Sequence, residues 1–177
     1  MLAGIYKSFF DEDDHLQASQ NFIQDNFFFP LNITTAVVPV DKSGTMMAGA
    51  FIHMTAQAWG RMGLAMLDKG KNWNGEQQVI PELWIDEMIQ KKRHVRMVPD
   101  DNKICSNGRG YPHFNGVYTQ MIYVCPKENL VVVRLGADHG ASYNANFPWT
   151  YPHELFHEGF LRIVNSISET APQPENL

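Results

Sequence analysis

Long apolar runs, cysteines and concentrated positive charge are all scarce in this sequence of 177 residues. No stretch approaches the roughly 20 apolar residues that a membrane-spanning helix requires, and no basic, apolar and small-residue order indicates a signal peptide. The sequence therefore predicts a soluble chain without a membrane partner. The two cysteines, Cys105 and Cys125, could pair, but a single bridge is not a disulfide framework, so the cellular compartment stays open.

The charge balance argues against a nucleic-acid partner. The chain has 14 Lys and Arg against 19 Asp and Glu, a formal net charge of −5. The only basic run spans residues 91–96, and we interpret it as a solvated helix end. With 44% hydrophobic residues, the chain can bury one sizeable core. We therefore predict a single domain over residues 1–177, with a frayed tail at 168–177.

Apolar periodicity and capping residues predict four helices, at residues 16–29, 55–69, 82–91 and about 153–167. Thr55 is a suitable N-cap, Gly70 a suitable stop, and Pro81 suits a first helical position. The side chains expected to be buried on the first three helices are Phe22, Ile23, Phe27 and Phe28, then Trp59, Met62, Met66 and Leu67, then Leu83, Trp84, Met88 and Ile89. The loop at 41–45 and the turn around 73–75 separate these helices.

Two runs rich in β-branched and aromatic residues predict an antiparallel hairpin. They cover residues 116–125 and 130–135, on either side of a Pro-Lys-Glu-Asn break. The second run is almost continuously apolar, so we expect it at the centre of the core, covered on both faces. The fold class predicted is α/β or α+β: a small antiparallel sheet with flanking helices.

Several strings in this order resemble one protein family. They are Phe29-Pro30-Leu31-Asn32-Ile33-Thr34, Ser43-Gly44-Thr45, Thr55-Ala56-Gln57-Ala58-Trp59-Gly60-Arg61-Met62-Gly63, Trp73-Asn74-Gly75-Glu76, and Gly116-Val117-Tyr118-Thr119-Gln120 with Leu130 to Gly136. Together they resemble the later part of a β-lactamase-related serine hydrolase. That superfamily includes class C β-lactamases, penicillin-binding proteins, esterases and 6-aminohexanoate-oligomer hydrolases.

The resemblance implies the C-terminal portion of a β-lactamase/transpeptidase-like fold that hydrolyses a small-molecule amide or ester through an acyl-enzyme. Such chemistry needs a serine followed three residues later by a lysine that accepts its proton. No serine of this sequence has a lysine at that spacing. We therefore expect the chain to begin after that motif, to contain no catalytic residue and to be inactive alone. Relatives are often periplasmic or secreted, and the resemblance implies no cofactor.

The family's third motif supplies substrate contacts from a strand beside the active site. In this sequence it maps to Gly116, Val117, Tyr118 and Thr119, just before Gln120. Relatives usually carry glycine where Thr119 stands. Together with His113, these residues are the substrate-cleft candidates. A competing match, Lys42-Ser43-Gly44, lies in a turn-rich loop with no strand after it, so we interpret it as structural.

Two alternatives come from other functional classes. The first is a non-catalytic binding or assembly module. For the hydrolase fragment and for this module alike, we predict a homo-oligomer, most simply a two-fold dimer. Its interface would bury an open sheet edge or the Phe-rich helix face formed by Phe22, Ile23, Phe27 and Phe28. The second is a zinc site on His153, Glu154 and His157, which have the His-Glu-x-x-His spacing. Placing residues at helical steps turns Glu154 away from the two histidines, so a helix carrying two surface histidines is the stronger interpretation.

Overall fold

A computed structural model of the chain divides into two compact units, residues 1–87 and 88–177. The residues that the structure describes are 2–10, 14–47, 49, 51–91, 113–115, 120–125, 128–136, 162 and 166. The first unit is helical and the second contains a small antiparallel sheet. The mixed α+β class predicted from the sequence is therefore confirmed, whereas the single domain stays a prediction.

The helical unit contains four α-helices and one π-helical turn. They are α1 (Leu2–Lys7), α2 (His15–Ile23), the π turn (Gln24–Phe28), α3 (Ala56–Leu67) and α4 (Glu82–Lys91), whose last residues pass into the second unit. Helix α1 was not predicted, because six residues are too few to establish a helical period. The tyrosine of α1 anchors it: the Tyr6 hydroxyl donates to the backbone carbonyl of Ser19 at 2.8 Å.

Helix α2 and its π turn confirm the predicted first helix, but they bury fewer of its aromatic residues than expected. Phe28 is 2% exposed and belongs to the core, with Ile23 and Phe27 packed against it. Phe22 is 50% exposed and instead contacts the rings of Tyr6 and Phe10. The apolar face predicted at Phe22, Ile23, Phe27 and Phe28 is thus buried at Phe28, half-buried at Ile23 and Phe27, and exposed at Phe22.

Helix α3 begins and ends as its sequence predicts. The Thr55 hydroxyl accepts from the Ala58 amide at 3.3 Å, which satisfies a free N–H group in the first turn. Buried on α3 are Ala58, Gly63, Ala65 and Met66. The predicted apolar stripe is thus right for Met66 and incomplete elsewhere, because small side chains let the helix approach Phe28, Leu31 and Ile33 closely.

Helix α4 has the predicted bounds but a different buried residue. Leu83 and Trp84 were expected inside, yet they are 72% and 58% exposed, whereas Ile85 is 1% exposed. The prediction for those two residues is wrong, and the inward side of α4 is the one that carries Ile85. An exposed ion pair of 2.7 Å between Lys69 and Glu82 lies at the start of the helix. The side chains of Met88 and Ile89 lie outside the described residues.

The second unit contains a three-stranded antiparallel sheet in the order β1-β2-β3. The strands are β1 (His113–Asn115), β2 (Met121–Cys125) and β3 (Leu130–Arg134). Cys125 pairs with Leu130 and Met121 with Arg134, which confirms the predicted hairpin. Asn129, with φ 49°, takes the left-handed conformation that its loop requires.

The middle strand of this sheet is β2, and the run at 130–135, predicted at the centre of the core and covered on both faces, is less buried than β2. Ile122, Val124 and Cys125 are 3%, 1% and 0% exposed. Every residue of β3 is only half-buried, because β3 has a paired neighbour on one side among the described strands. Strand β1 was not predicted, since three residues carry too short an alternation.

Cys125 is disulfide-bonded, and no described cysteine is free. The chain has one other cysteine, Cys105, in a segment outside the described residues. Within the predicted C-terminal helix, Arg162 and Ser166 are helical and exposed. The rest of that helix and the predicted tail also lie outside the described residues. No helix in the described part of the chain is long and apolar enough to cross a membrane.

Gly70 gives a sharp test of the helical unit. It has φ 89°, and a Cβ placed on it would lie 1.9 Å from the Ile80 carbonyl oxygen, so the backbone must move to accept any side chain. We expect Gly70→Ala to lower the free energy of unfolding by about 4 kcal/mol or more, in the range of severe core defects. Urea unfolding followed by tryptophan fluorescence measures it.

The matched control is Gly75→Ala. Gly75 also has a positive φ, 77°, but a Cβ there meets nothing within 4 Å. Only the left-handed strain remains, at about 1–2 kcal/mol. Equal losses in the two variants would contradict the close approach of Gly70 to Ile80.

Candidate functional site

The predicted cleft residues belong to β1 and to the sequence between β1 and β2. His113 begins β1 and pairs with Tyr123 in the sheet register, and Asn115 pairs with Met121. The string Gly116, Val117, Tyr118 and Thr119 lies between these strands, outside the described residues, and the side chain of His113 is not described either. The structure therefore locates the two ends of the predicted site, at Asn115 and Gln120.

Gln120 is the one cleft candidate whose side chain is described, and both ends of its amide are engaged. Its Nε2 donates to the Gly136 carbonyl oxygen at 2.6 Å, and its Oε1 accepts from the Gly136 amide at 2.9 Å. An amide can donate twice and accept twice, so these two bonds fix the orientation of the Gln120 side chain and use half of its hydrogen-bonding capacity. Gln120 thus joins the residue before β2 to the backbone two residues after β3.

Tyr123 is the most perturbed ionisable group in the described part of the sheet. Burial raises its pKa to about 12, against a smaller opposing effect from the positive charge of Arg134. Its hydroxyl donates to the Met121 sulfur at 2.9 Å. A phenol with this pKa stays protonated at neutral pH, so Tyr123 acts as a neutral donor and is unsuited to the role of general base.

The loop at 41–45 holds the competing Lys-Ser-Gly match, and its polar groups serve the turn itself. The Oδ1 of Asp41 accepts from the Ser43 amide at 2.8 Å, the Ser43 hydroxyl at 2.7 Å and the Thr45 amide at 2.9 Å. Gly44, with φ 73°, supplies the left-handed residue that the turn needs. This is an Asx-type turn, in which a carboxylate replaces backbone partners.

Ser43 is poorly placed to be a nucleophile. Its Oγ lies 2.7 Å from Asp41 and 2.8 Å from the Thr45 hydroxyl. The hydrogen bond from Ser43 leads the contacts that lower the pKa of Asp41 below its usual value, and a carboxylate stabilised in this way is a weak proton acceptor. Lys7 binds the Ser43 backbone carbonyl at 2.7 Å, which tethers α1 to the loop. The structural interpretation of the Lys42-Ser43-Gly44 match is therefore the better one.

The residues of the alternative zinc site lie outside the described part of the chain. His153, Glu154 and His157 all lie beyond the described residues. Among the residues that are described, no group of three or more His, Cys, Asp and Glu side chains is arranged to hold a metal ion. The zinc hypothesis accordingly stays untested.

Sequence reasoning missed the roles of Asp41, Tyr123 and Lys7. An Asp two residues before a Ser-Gly pair is a recognisable Asx-turn signal, so the first could have been found. Tyr123 alternates with the buried Ile122 and Val124, which places it on the opposite face of β2. The contact of Lys7 with Ser43 spans 36 residues and has no local signal.

A comparison of the chain with protein-family models and with curated proteins finds no match. The resemblance to β-lactamase-related serine hydrolases accordingly depends on the quoted strings alone.

The raised pKa of Tyr123 predicts a pH dependence in the alkaline range. In the unfolded chain a tyrosine ionises near pH 10, whereas in the folded chain Tyr123 ionises at about 12. Its contribution to stability is therefore complete below pH 10 and is lost as the pH rises through 12. Between pH 10 and pH 12, we expect the free energy of unfolding to fall less in Tyr123→Phe than in the parent.

The ultraviolet titration of phenolate gives a direct measurement. The difference between the parent and Tyr123→Phe should have its midpoint near the raised pKa of about 12. A midpoint close to 10 would mean that Tyr123 is not buried.

Proposed function

We propose that this chain is the C-terminal portion of a β-lactamase-related serine hydrolase that acts on small amides or esters through an acyl-enzyme. The observation that carries the proposal is the placement of the resembling strings. Thr55 to Gly63 begins a capped helix, Trp73 to Glu76 forms the turn after it, and Leu130 to Arg134 is the return strand of an antiparallel hairpin. Each of these strings coincides with a helix start, a turn or a strand, as the resemblance requires.

The turn at Trp73 to Glu76 illustrates this support. The Oδ1 of Asn72 accepts from the amides of Glu76 and Gln77 at 3.0 and 3.1 Å, and Gly75 has φ 77°. Trp73 is 65% exposed, so its presence in the string is not explained by burial in the core of this unit. Asn72 and Gly75 are therefore explained by the conformation of the turn. Trp73 is exposed and available for a contact outside the unit.

The β-lactamase-like architecture belongs to the same proposal. A helix pair followed by an antiparallel hairpin, with the candidate cleft between β1 and β2, accommodates the order that the resemblance implies. In this proposal β1 and β2 flank the cleft, and this sequence contains no Ser-x-x-Lys nucleophile motif.

A titration tests this proposal. Isotope-labelled chain is titrated with the linear dimer of 6-aminohexanoate, a small amide of the class that the resemblance names, and backbone amide resonances are followed. We expect saturable shifts confined to residues 113–120. Shifts scattered over both units, or none up to the solubility limit of the dimer, would contradict the proposal.

We predict that an activated fluorophosphonate probe forms no stoichiometric adduct with this chain. No serine has a lysine three residues later, and the Ser43 hydroxyl is held by a carboxylate of lowered pKa. Intact-mass spectrometry measures labelling. The informative control is Ser43→Ala: an adduct on the parent that this variant abolishes would make Ser43 a nucleophile and overturn the structural interpretation of its loop.

A second candidate function, an assembly module, is favoured by the position of β3. Among the described strands β3 is paired on one side, all five of its residues are half-buried, and Leu135 beyond it is 41% exposed. A hydrophobic edge of this kind can template pairing with another chain. We therefore propose a two-fold homodimer that pairs the β3 edges, a site in place of the Phe-rich face on α2.

The dimer prediction is tested by sedimentation equilibrium at micromolar concentrations. We expect the mass of a dimer in the parent. In Val132→Lys a charge placed at mid-strand should shift the equilibrium toward monomer, whereas Val37→Lys, at a 61% exposed position in the helical unit, should not. A well-folded monomeric parent would contradict the homodimer.

A further inference from the structure

The disulfide of Cys125 lies at a fully buried position of the sheet. Cys125 is disulfide-bonded, is 0% exposed and is the last residue of β2. Its neighbours in the sheet are apolar, with the buried Val124 before it and the half-buried Leu130 paired opposite it on β3. The Cys125 end of the bond is therefore held in the apolar interior of the second unit, out of contact with water.

The composition of the chain identifies the other end of the bond. The sequence contains one further cysteine, Cys105, which precedes β1. Within a single chain, Cys105 is therefore the partner of Cys125. The covalent loop that the bridge closes contains both β1 and β2. Closing such a loop restricts the unfolded chain, which stabilises the folded sheet.

A thiolate reductant can attack either sulfur of a disulfide, and the burial of Cys125 opposes both routes. Attack on the Cys125 sulfur requires the reductant to reach a residue that has no exposed surface. Attack on the Cys105 sulfur expels the Cys125 sulfur as a thiolate, which places a charge at the same buried position. Ionisation is unfavourable in apolar surroundings, so the Cys125 thiolate is a poor leaving group while β2 is buried.

Tyr123 gives independent support for this second obstacle. Tyr123 lies two residues before Cys125 and so on the same face of β2. Burial raises the pKa of Tyr123 to about 12, even though the positive charge of Arg134 opposes the effect. Surroundings that disfavour a phenolate on this face also disfavour a thiolate.

We propose that the Cys105–Cys125 bridge is a shielded structural crosslink, which a reductant cleaves only after β2 has separated from β3. In the folded chain such a bond is not a redox switch, because it resists reductants that would cleave an exposed disulfide. Its formation transfers two electrons and two protons from the two thiols to an oxidant, such as a small disulfide or a thiol oxidoreductase. The chain must therefore fold where an oxidant of this class is available. The proposal is independent of hydrolase chemistry.

The test is the rate at which excess dithiothreitol reduces the full chain at about pH 8. One dithiol supplies two electrons and two protons, so two protein thiols form while the reagent closes to a cyclic disulfide. Iodoacetamide traps the thiols, and intact-mass spectrometry counts the alkyl groups. Relative to oxidised glutathione in the same solvent, we expect the folded chain to be reduced at least about a hundredfold more slowly than the chain unfolded in guanidinium chloride. Below the unfolding transition the rate should rise with urea, which favours the opened sheet.

A matched pair of variants separates opening of the sheet from local access to the bond. Ile122 is buried, pairs with Val133 on β3 and lies on the opposite face of β2 from Cys125. In Ile122→Ala the sheet should open more readily, and reduction should be about tenfold or more faster. Leu135→Ala removes an exposed apolar side chain just after β3 and should change the rate by less than about twofold. If Ile122→Ala does not fold, the urea dependence of the parent supplies the same comparison.

The outcomes address the shielding and the bridge separately. Reduction of the folded chain at the rate of the unfolded chain overturns the shielding, and so does a rate that stays constant as urea is added below the transition. Equal reduction rates in folded Ile122→Ala and Leu135→Ala also overturn it. Alkylation of thiols before dithiothreitol is added, or a disulfide between two chains, overturns the bridge itself. Peptide mapping without reductant identifies the two cysteines that are joined.

Discussion

The close approach of Gly70 to Ile80 is the constraint on which the helical unit depends. The Gly70 amide closes the end of α3 by donating to Ala65 at 2.6 Å, and the Gly70 carbonyl accepts from Val79 and Ile80, each at 2.9 Å. One residue without a side chain thus joins the end of a helix to the chain that returns from the Trp73 turn. The Nε2 of Gln78 also donates to the carbonyl oxygens of Lys69 and Ile80. Hydrogen bonds to the backbone therefore fix the path of the chain that leads into α4.

Sequence reasoning was most successful where a local rule acts alone. Thr55, Gly70 and Pro81 set helix boundaries through groups within a few residues of themselves, and α3 and α4 follow them. It failed where the orientation of an element is set from a distance. Leu83 and Trp84 have the character of core residues, but the chain that returns to Gly70 through Val79 and Ile80 leads into α4 with Ile85 inward. Similarly, the apolar character of β3 does not reveal that β2 is the middle strand, since strand order depends on β1, which is too short to predict.

The candidate site divides in the same way. The hairpin that frames it is predictable, because Met121 to Cys125 and Leu130 to Arg134 carry their own strand preference and a turn between them. The roles of individual side chains are not predictable, since they depend on partners far away in sequence. Gln120 reads as a polar cleft residue, yet its partner is Gly136, 16 residues later. Ser43 reads as part of a catalytic motif, yet Asp41 and Thr45 engage its hydroxyl within a turn.

The two faces of β2 differ in chemical character. Ile122 and Val124 are buried on one face of β2, while Met121 and Tyr123 lie on the other, where the phenol is kept neutral by burial and donates to sulfur. A face of this kind stiffens a strand without supplying an acid or a base. Regular pairing of β2 with β3 ends at Met121 and Arg134, and the Gln120 amide adds one side-chain contact to Gly136 beyond that point. The described part of the sheet is therefore held by backbone pairing, by a buried apolar face and by one side-chain amide at its end.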